Sequence, residues 1–385
     1  MNRKLLRITT VSESLRTLLP GQMAFMQQQG FTVWSASAGV ISHPECPHFT
    51  LPLTRQITPF QDLYALWKTY RLIRRLRPDI VHTHTPKAGL IGMWAARWAG
   101  VPVRLHTVAG LPLMERRGLW RWLFTQIERL TYAFATEVWP NSFGLETYIR
   151  QHLYNGPKLR VIGNGSSNGI DTIRFRPTSE LTQLARMLRK QLSIAPDVFV
   201  WLFVGRIVGE KGITELVTAF RAVSEKQPDT RLVLVGQEES LNLIDRTIKS
   251  IIVSDKRILE VGYQTDVRPY IMMANALILP SYREGLPNVL LQAACLERPV
   301  VATDIVGCRE VVQQGETGLL VPPKDPFVLH DAMLRLMNDT LLRQQMSGKA
   351  RAHVVEKYEQ KTLWQALLLA YNQALRANQS ECTFF

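Results

Sequence analysis

The chain has 385 residues, of which 46% are hydrophobic and 20% charged, and its formal net charge is +14. This length exceeds what one hydrophobic core usually supports, so the sequence predicts two domains. No secretory signal and no 18-residue apolar span occurs, which predicts that nothing crosses a membrane. The four cysteines, Cys46, Cys295, Cys308 and Cys382, show no paired spacing and indicate a reduced, cytoplasmic protein.

The positive charge is concentrated in one half of the chain. Residues 1–176 carry a net charge of +13, whereas residues 177–385 carry +1. A basic N-terminal half suits an anionic membrane surface or a lipid diphosphate. Nucleic acid is the other polyanion to consider, but no recognition-helix, zinc-finger or RNP-like string is present, so a nucleic-acid partner is not expected.

Strand-like and helix-like patterns alternate along the whole chain, which predicts an α/β fold of two doubly wound Rossmann-like units. The predicted strands of the first half are Lys4–Thr10, Phe31–Ala36, Asp79–Thr83, Val103–Thr107, Glu137–Pro140 and Leu159–Ile162. Those of the second half are Phe199–Val204, Arg231–Val235, Arg257–Val261, Ala276–Leu279, Val300–Thr303 and Gly318–Val321.

Two segments of the first half combine basic and aromatic residues. Residues 111–124 interleave Arg116, Arg117 and Arg121 with Trp, Leu and Phe, a composition typical of a segment lying at a bilayer interface. Residues 67–77 are also basic, but the favoured interpretation is the solvated face of an ordinary surface helix. The sequence therefore predicts peripheral membrane contact through residues 111–124, on the inner face of the cell membrane.

The domain boundary is predicted at the turn-rich passage Phe175–Thr178. The prediction is a first domain of residues 1–176, a second of residues 177–360, and a C-terminal helix and tail of residues 361–385. Within the last segment, Thr362–Arg376 has apolar residues at helical spacing.

The strand Phe199–Val204 leads directly into a glycine-rich turn that carries two cations, Arg206 and Lys211. Arg can bind phosphate bidentately and Lys as a point charge, which favours a diphosphate clamp over solvated loop charges. The turn is not a Walker motif, because its glycine spacing differs and no hydroxyl follows Lys211 to hold magnesium.

The strand Ala276–Leu279 leads into Ser281-Tyr-Arg-Glu284-Gly-Leu-Pro287-Asn288, which reads as a sharp turn and a helix start. Pro287 suits a first helical turn, and the free N–H groups of a helix N-terminus attract anions. A carboxylate just ahead of an anion site needs another task, and accepting hydrogen bonds from sugar hydroxyls fits Glu284. The pattern predicts a site for a sugar attached to a phosphate.

These motifs resemble those of the family 4 glycosyltransferases, retaining enzymes of GT-B architecture, over nearly the whole chain. The resemblance implies that Arg206 and Lys211 neutralise the donor diphosphate, that Glu284 contacts the donor sugar, and that the backbone of Leu286, Pro287 and Asn288 binds phosphate. The second Glu of the family's Glu-x7-Glu signature, which holds the ribose, is replaced here by Gln292. An amide can still accept and donate one bond, without charge assistance. The resemblance also implies two domains facing across a cleft, and a last helix that crosses back to the first domain.

The strings His82-Thr-His84-Thr-Pro-Lys87-Ala-Gly89 and Gly163–Asp171 are similar to the subset that extends lipid-linked or surface-polysaccharide glycans. His106 resembles a family position where a His near the cleft contacts the donor sugar, although some relatives place their His where this chain has Ala109. His84 and Lys87 are predicted to face the acceptor diphosphate, with Lys87 the plainer candidate for charge pairing. His82 and His84 lack an evident third metal ligand, and no DxD triplet occurs, so no metal is expected.

The sequence thus predicts a retaining glycosyltransferase that moves a hexose or N-acetylhexosamine from a nucleoside diphosphate sugar, with UDP the expected nucleotide, to a lipid-linked glycan. The predicted catalytic residues are Glu284 and His106, and no cofactor is expected. Two alternatives stay open: a nucleotide-sugar epimerase of the same twin-domain fold, and a non-catalytic protein that binds membranes or polyanions.

Overall fold

The computed structural model describes residues 3–114, 116–238 and 244–382, with side chains described as far as residue 378. Within these ranges the chain forms twelve strands. They are β1 Arg3–Val11, β2 Phe31–Ala38, β3 His48–Thr50, β4 Ile80–His84, β5 Val103–Val108, β6 Glu137–Pro140, β7 Phe199–Val204, β8 Thr230–Val235, β9 Ile258–Glu260, β10 Ala276–Leu279, β11 Val300–Thr303 and β12 Gly318–Val321.

The α-helices described alternate with these strands. They are α1 Ser12–Leu18, α2 Gln22–Gln28, α3 Pro59–Leu76, α4 Pro86–Trp98, α5 Gly118–Phe134, α6 Phe143–His152, α7 Ser179–Gln191, α8 Ile213–Lys226, α9 Arg246–Ser254, α10 Arg268–Met273, α11 Asn288–Cys295, α12 Cys308–Val311, α13 Pro326–Asn338, α14 Thr340–Tyr358 and α15 Gln360–Cys382. Among the residues described, no helix is long and apolar enough to span a bilayer.

The chain divides into two compact units, and the first comprises residues 1–169 and 360–385. Its parallel sheet has the strand order β3-β2-β1-β4-β5-β6. The inner strands are buried on both faces, and they carry buried polar side chains such as Arg7, His82 and His106 as well as apolar ones. Helix α15 completes this unit, because Leu367, Ala370, Tyr371 and Ala374 join the core built around β1 and β2.

The second unit comprises residues 170–359 and repeats the same topology. Its parallel sheet has the order β12-β11-β10-β7-β8-β9, so its first strand, β7, lies between β10 and β8. Both sheets therefore have the doubly wound order, in which the first strand is central and the connections leave it in opposite directions. The predicted fold class of two doubly wound, Rossmann-like units is confirmed.

The division between the units falls at Gly169 and Ile170, slightly before the predicted boundary at residue 176. The reason is local pairing, because the Ile170 amide donates to the Tyr358 carbonyl at 2.8 Å. Phe175 also packs in the core of the second unit. The passage that reads as a turn-rich linker is therefore already part of the second unit.

One strand prediction for the first unit was wrong, and one strand was missed. Leu159–Ile162 forms no strand: Leu159 makes one isolated bridge to Val138, and the chain then bends into the glycine-rich passage that follows. The sixth strand is instead β3, a three-residue edge strand that the sequence reading missed. Its short, partly exposed sequence has too few apolar residues to give a strand pattern.

Candidate functional site

In the second unit, the sequence-predicted donor residues lie in loops that follow neighbouring strands. The turn of residues 205–212 follows β7, and the turn of residues 280–287 follows β10. Since β7 and β10 are adjacent and parallel, both turns lie at the carboxyl edge of the sheet. This is also where the strand order reverses, the position at which open α/β sheets form a ligand crevice.

Two glycines allow these turns to approach each other and the next loop closely. Gly212 has a φ of +68°, and a Cβ there would lie 2.1 Å from the Pro280 carbonyl oxygen. Gly307 has a φ of +84°, and a Cβ there would lie 2.2 Å from the Gly285 carbonyl oxygen. Any larger residue at either position would push apart the loops that follow β7, β10 and β11.

Lys211 and Glu284 form an ion pair across the two turns. The Lys211 Nζ lies 2.5 Å from Glu284 Oε1, and the two side chains are 16% and 15% exposed. The structure thus brings together the cation predicted for the diphosphate and the carboxylate predicted for the sugar. Partial burial strengthens the attraction, while the remaining exposure leaves both groups reachable from solvent.

A second ionic cluster surrounds Arg206. Its guanidinium lies 2.6 Å from Glu210, which also accepts from Arg283 at 2.8 Å. Burial alone would raise the pKa of Glu210, but Arg283 and Arg206 outweigh burial, so the pKa lies below its usual value. Sequence reading missed Glu210 and Arg283, although both flank the predicted residues in the same turns.

Helix α11 begins at Asn288, and Pro287 is its N-cap. Pro287 therefore lies just before the first helical turn, in which the sequence prediction had placed it. No side chain caps this N-terminus, which leaves its first amides available to an anion. Leu286 is 7% exposed and fixes the turn by packing in the core. Gln292 lies one turn into α11 and is half-buried. A helix N-terminus beside a lysine can hold a phosphate, and the adjacent carboxylate can accept from hydroxyls.

The predicted acceptor residues lie in the first unit and already have partners there. His84, at the end of β4, is buried, and Arg7 Nη1 lies 2.7 Å from its Nε2. Lys87, in the first turn of α4, is paired with Asp62 of α3 at 2.7 Å. Any anionic acceptor would have to compete with Asp62 for Lys87.

His106 lies on the opposite face of the same sheet from His84. Its register partner in β4 is Thr83, whose hydroxyl lies 2.8 Å from His106 Nδ1. The ring packs so closely on α4 that a Cβ on Gly89 would lie 2.4 Å from it. Burial lowers the pKa of His106 to about 4, so the ring is neutral at physiological pH. These contacts are structural ones, and a catalytic role for His106 stays a prediction.

No group of three or more His, Cys, Asp or Glu side chains that could hold a metal ion occurs in the described ranges. His82, next to His84 in the sequence pattern, is bound instead by hydroxyl groups. Its ring nitrogens lie 2.6 Å from the Tyr371 hydroxyl and 2.7 Å from the Thr107 hydroxyl.

Two doubly wound units in one chain, with paired ions and an uncapped helix N-terminus at a switch point, fit the class of α/β proteins that bind phosphorylated ligands. Family comparisons agree with this class. Residues 27–165 match the glycosyl transferase 4-like domain, and residues 186–353 match the glycosyl transferases group 1 domain.

Two relatives and one solved structure can be compared with the chain individually. The chain is 31% identical over 385 residues to the capsular polysaccharide biosynthesis glycosyltransferase CapM of Staphylococcus aureus, covering 99% of this chain and 100% of that protein. It is 27% identical to an Escherichia coli UDP-Gal:alpha-D-GlcNAc-diphosphoundecaprenol alpha-1,3-galactosyltransferase, covering 80% and 79% of the two chains. The crystal structure of Anabaena HepE with UDP and glucose superposes with a TM-score of 0.81 at 18% identity, covering 96% of this chain and 100% of HepE.

The chain therefore belongs to the glycosyltransferases that combine a 4-like domain with a group 1 domain. It is a glycosyltransferase, which favours the first of the three functional hypotheses over the epimerase and the non-catalytic binding protein.

Proposed function

We propose that the protein is a retaining glycosyltransferase that moves a hexose or N-acetylhexosamine from a UDP-sugar to a lipid-linked glycan in polysaccharide biosynthesis. The observation that carries the proposal is the Lys211–Glu284 pair at the carboxyl ends of β7 and β10. It joins a phosphate-binding group to a hydroxyl-binding group at the switch point of the second unit.

The ion pair suggests how donor binding prepares the site. A donor diphosphate offers Lys211 more negative charge than Glu284 does, so the lysine exchanges partners when the donor arrives. Glu284 is then free to accept hydrogen bonds from the sugar hydroxyls. As the anomeric bond breaks, charge grows on the leaving diphosphate, and Lys211, Arg206 and the first amides of α11 stabilise it.

This arrangement does not require a metal, because lysine, arginine and helix amides supply the positive potential. Retention without a protein nucleophile follows what the family resemblance implies, with attack from the face of the leaving diphosphate, which accepts the acceptor's proton. The lipid-linked acceptor is supported by the charge of the first half and by the undecaprenol-linked acceptor in the name of the E. coli relative.

The test is a screen of labelled UDP-sugars against undecaprenyl diphosphate sugars, followed by NMR of the product's anomeric centre. We expect a new α-linkage from an α-linked donor, and activity that persists in EDTA. A β-linked product would overturn retention, and loss of activity in EDTA restored by manganese would overturn the metal-free mechanism. Sugar isomerisation without acceptor would reinstate the epimerase.

A second part of the proposal is peripheral attachment of the first unit to an anionic membrane at the cytoplasmic face. On α5, Leu119, Trp120 and Trp122 are 76%, 57% and 59% exposed, and Arg116, Arg117 and Arg121 are exposed beside them. Apolar side chains flanked by arginine are what an anionic interface binds. Phe124 is half-buried and contributes less than its sequence position suggests.

Helix α3 adds an exposed apolar stripe that lies mostly outside residues 67–77, the segment that the sequence interpretation covered. Phe60, Leu63, Tyr64 and Trp67 are 90%, 62%, 49% and 48% exposed, and their spacing places them on one helical face. The stripe continues into exposed basic residues, and Arg71 lies 4.8 Å from the Trp67 ring. This face is therefore apolar as well as charged, unlike an ordinary solvated face. Helices α3 and α5 both pack against α4, so the two proposed membrane segments belong to neighbouring parts of the first unit.

Vesicle sedimentation tests the attachment. We expect binding to anionic vesicles that weakens as salt rises, because exposed charges are screened over about 10 Å at 0.1 M salt. Trp120→Ser with Trp122→Ser, and separately Phe60→Ser with Trp67→Ser, should each reduce binding. Phe327→Ser, at an equally exposed position in the second unit, is the matched control. Unchanged binding in both double variants would rule out these faces.

A further inference from the structure

Arg7 is a buried arginine in the middle of β1, where it is 0% exposed. Its described partners are uncharged: Nη1 donates to His84 Nε2 at 2.7 Å, Nη2 donates to Gln22 Oε1, and the guanidinium lies 5.6 Å from the Tyr371 ring. In the described part of the chain, no carboxylate lies within ion-pair distance of Arg7. Glu45 acts on Arg7 only from beyond ion-pair distance, and its carboxylate accepts hydrogen bonds from the Gly21 and Ala24 amides. Burying a guanidinium without an adjacent counter-charge is strongly unfavourable.

The hydrogen-bond pattern around Arg7 leaves two donors without acceptors. Arginine only donates, so His84 must accept through Nε2. Burial, followed by the charge of Arg7, holds the pKa of His84 well below its usual value, so the ring is neutral and its proton is on Nδ1. His84 Nδ1 and Arg7 Nε are both buried, and neither has a hydrogen-bond partner. Two N–H groups around one cation require an acceptor, and preferably a negative one.

Arg7 and His84 both line a small cavity. Its volume is about 20 Å³, and its polar lining includes Arg7, Gln22, His82, His84, Thr107 and Asn141. No carboxylate lines it. The accessible space is enough for one water-sized particle.

We propose that this cavity is a binding site for one halide-sized anion, chloride in the cell, held by Arg7 Nε and His84 Nδ1. A water molecule would accept the same two hydrogen bonds but would leave the buried charge uncompensated. The Asn141 amide, whose Oδ1 is also buried without a partner, can rotate to present its NH2 group to the anion. The net charge of +13 on residues 1–176 further favours an anion.

The site connects several parts of the first unit. Gln22, the second partner of Arg7, donates to Asn168 Oδ1 at 2.9 Å, and Trp364 of α15 donates to the same oxygen at 2.7 Å. An anion that fixes Arg7 therefore stabilises α2, β4 and α15 together. Its expected effect is on the stability of the first unit, independently of donor binding in the second.

The direct test is a crystal of the wild-type protein grown or soaked in sodium bromide, with data collected at the bromine absorption edge. We expect an anomalous peak in the cavity within hydrogen-bonding distance of Arg7 Nε and His84 Nδ1. A water without anomalous signal, or no density there, would overturn the proposal.

A solution test measures the melting temperature at constant ionic strength while gluconate, which is too large for the cavity, is replaced by chloride or bromide. We expect a saturable rise of a few degrees in the wild type and in Arg97→Met, an exposed arginine of the same unit. The rise should be absent in Arg7→Met. If Arg7→Met does not fold, Asn141→Leu, which fills the cavity with an apolar side chain, is used as the test variant instead. An equal rise in melting temperature in the cavity variant and in Arg97→Met would show that salt stabilises the protein nonspecifically, and it would overturn the proposal.

Discussion

The two units share a strand order but differ in where their charged clusters lie and in how those charges are paired. In the second unit, Lys211 pairs with Glu284, and Arg206 with Glu210, in partly exposed turns beyond the strand ends. In the first unit, Arg7 and His84 are fully buried within their strands, and their cluster contains no carboxylate.

This difference suits the two clusters to different roles: exchange of a bound anion in the second unit, and stabilisation of the fold in the first. A partly exposed ion pair can exchange one anion for another at low cost, because solvent screens the intermediate state. A buried guanidinium cannot lose its partners without a large desolvation penalty. We therefore assign reversible phosphate binding to the second unit and permanent organisation to the buried cluster of the first.

The largest effect is expected at Glu284. Glu284→Ala removes the carboxylate that we propose contacts the donor sugar, and we expect turnover to fall by about 10²-fold or more, the scale of losing one electrostatic transition-state contact. UDP affinity should remain or rise, because Lys211 loses its competing partner. Steady-state kinetics and calorimetry measure the two effects. Wild-type turnover in this variant would contradict the assignment.

The two cations of the turn after β7 should differ in size of effect. Lys211→Ala removes a half-buried charge-assisted contact of roughly 1.5 to 3 kcal/mol, so UDP affinity should fall by about tenfold or more. Arg206 is 44% exposed, so Arg206→Ala should weaken binding less. Lys249→Ala, which removes an exposed lysine paired with Glu238 in the same unit, serves as the control in calorimetry. If Lys211→Ala binds UDP as the control does, the clamp is elsewhere.

In the first unit the sharpest prediction concerns pH. Glu128 is buried in α5, and burial raises the pKa of its carboxyl from the ordinary 4.5 to about 7. The folded state therefore holds a proton that the unfolded state releases between these values, so this contribution to stability falls as pH rises through 7. Glu128→Gln should remove a penalty on the order of 3 kcal/mol at pH 8.

Urea unfolding of the wild type and Glu128→Gln at pH 5 and pH 8 measures this effect. The buried histidines have lowered pKa values, so their contribution to stability changes with pH in the opposite direction. This contribution is the same in both proteins and cancels when their unfolding free energies are subtracted. The advantage of the variant should grow with pH, whereas a constant difference would show that Glu128 does not titrate in this range.

The smallest effect is expected at Gln292. Gln292→Glu restores a charge that can accept from ribose hydroxyls, and we expect donor affinity to rise several-fold with little change in the chemical step. Fluorescence titration with UDP against UDP lacking both ribose hydroxyls isolates this contact. Weaker UDP binding would mean that the amide has its own adapted partner.

The sequence predicted the parts that follow local pattern. Eleven of the described strands were predicted from the sequence, and the turns after β7 and β10 were found from their glycines and charges. The pairing of Lys211 with Glu284 was not predictable, because 73 residues separate them and only the adjacency of β7 and β10 joins them. Arg7 was missed although an arginine inside an apolar strand was a visible signal. Its role depends on His84 and Gln22, which only the folded sheet and α2 bring to it.

The most direct test of the central claim is a crystal structure of this chain with UDP. The account predicts that the diphosphate lies at the carboxyl ends of β7 and β10, within hydrogen-bonding distance of Lys211 Nζ and the first amides of α11, and that the Lys211–Glu284 pair has opened. A diphosphate bound away from these strand ends, with Lys211 still paired to Glu284, would contradict it.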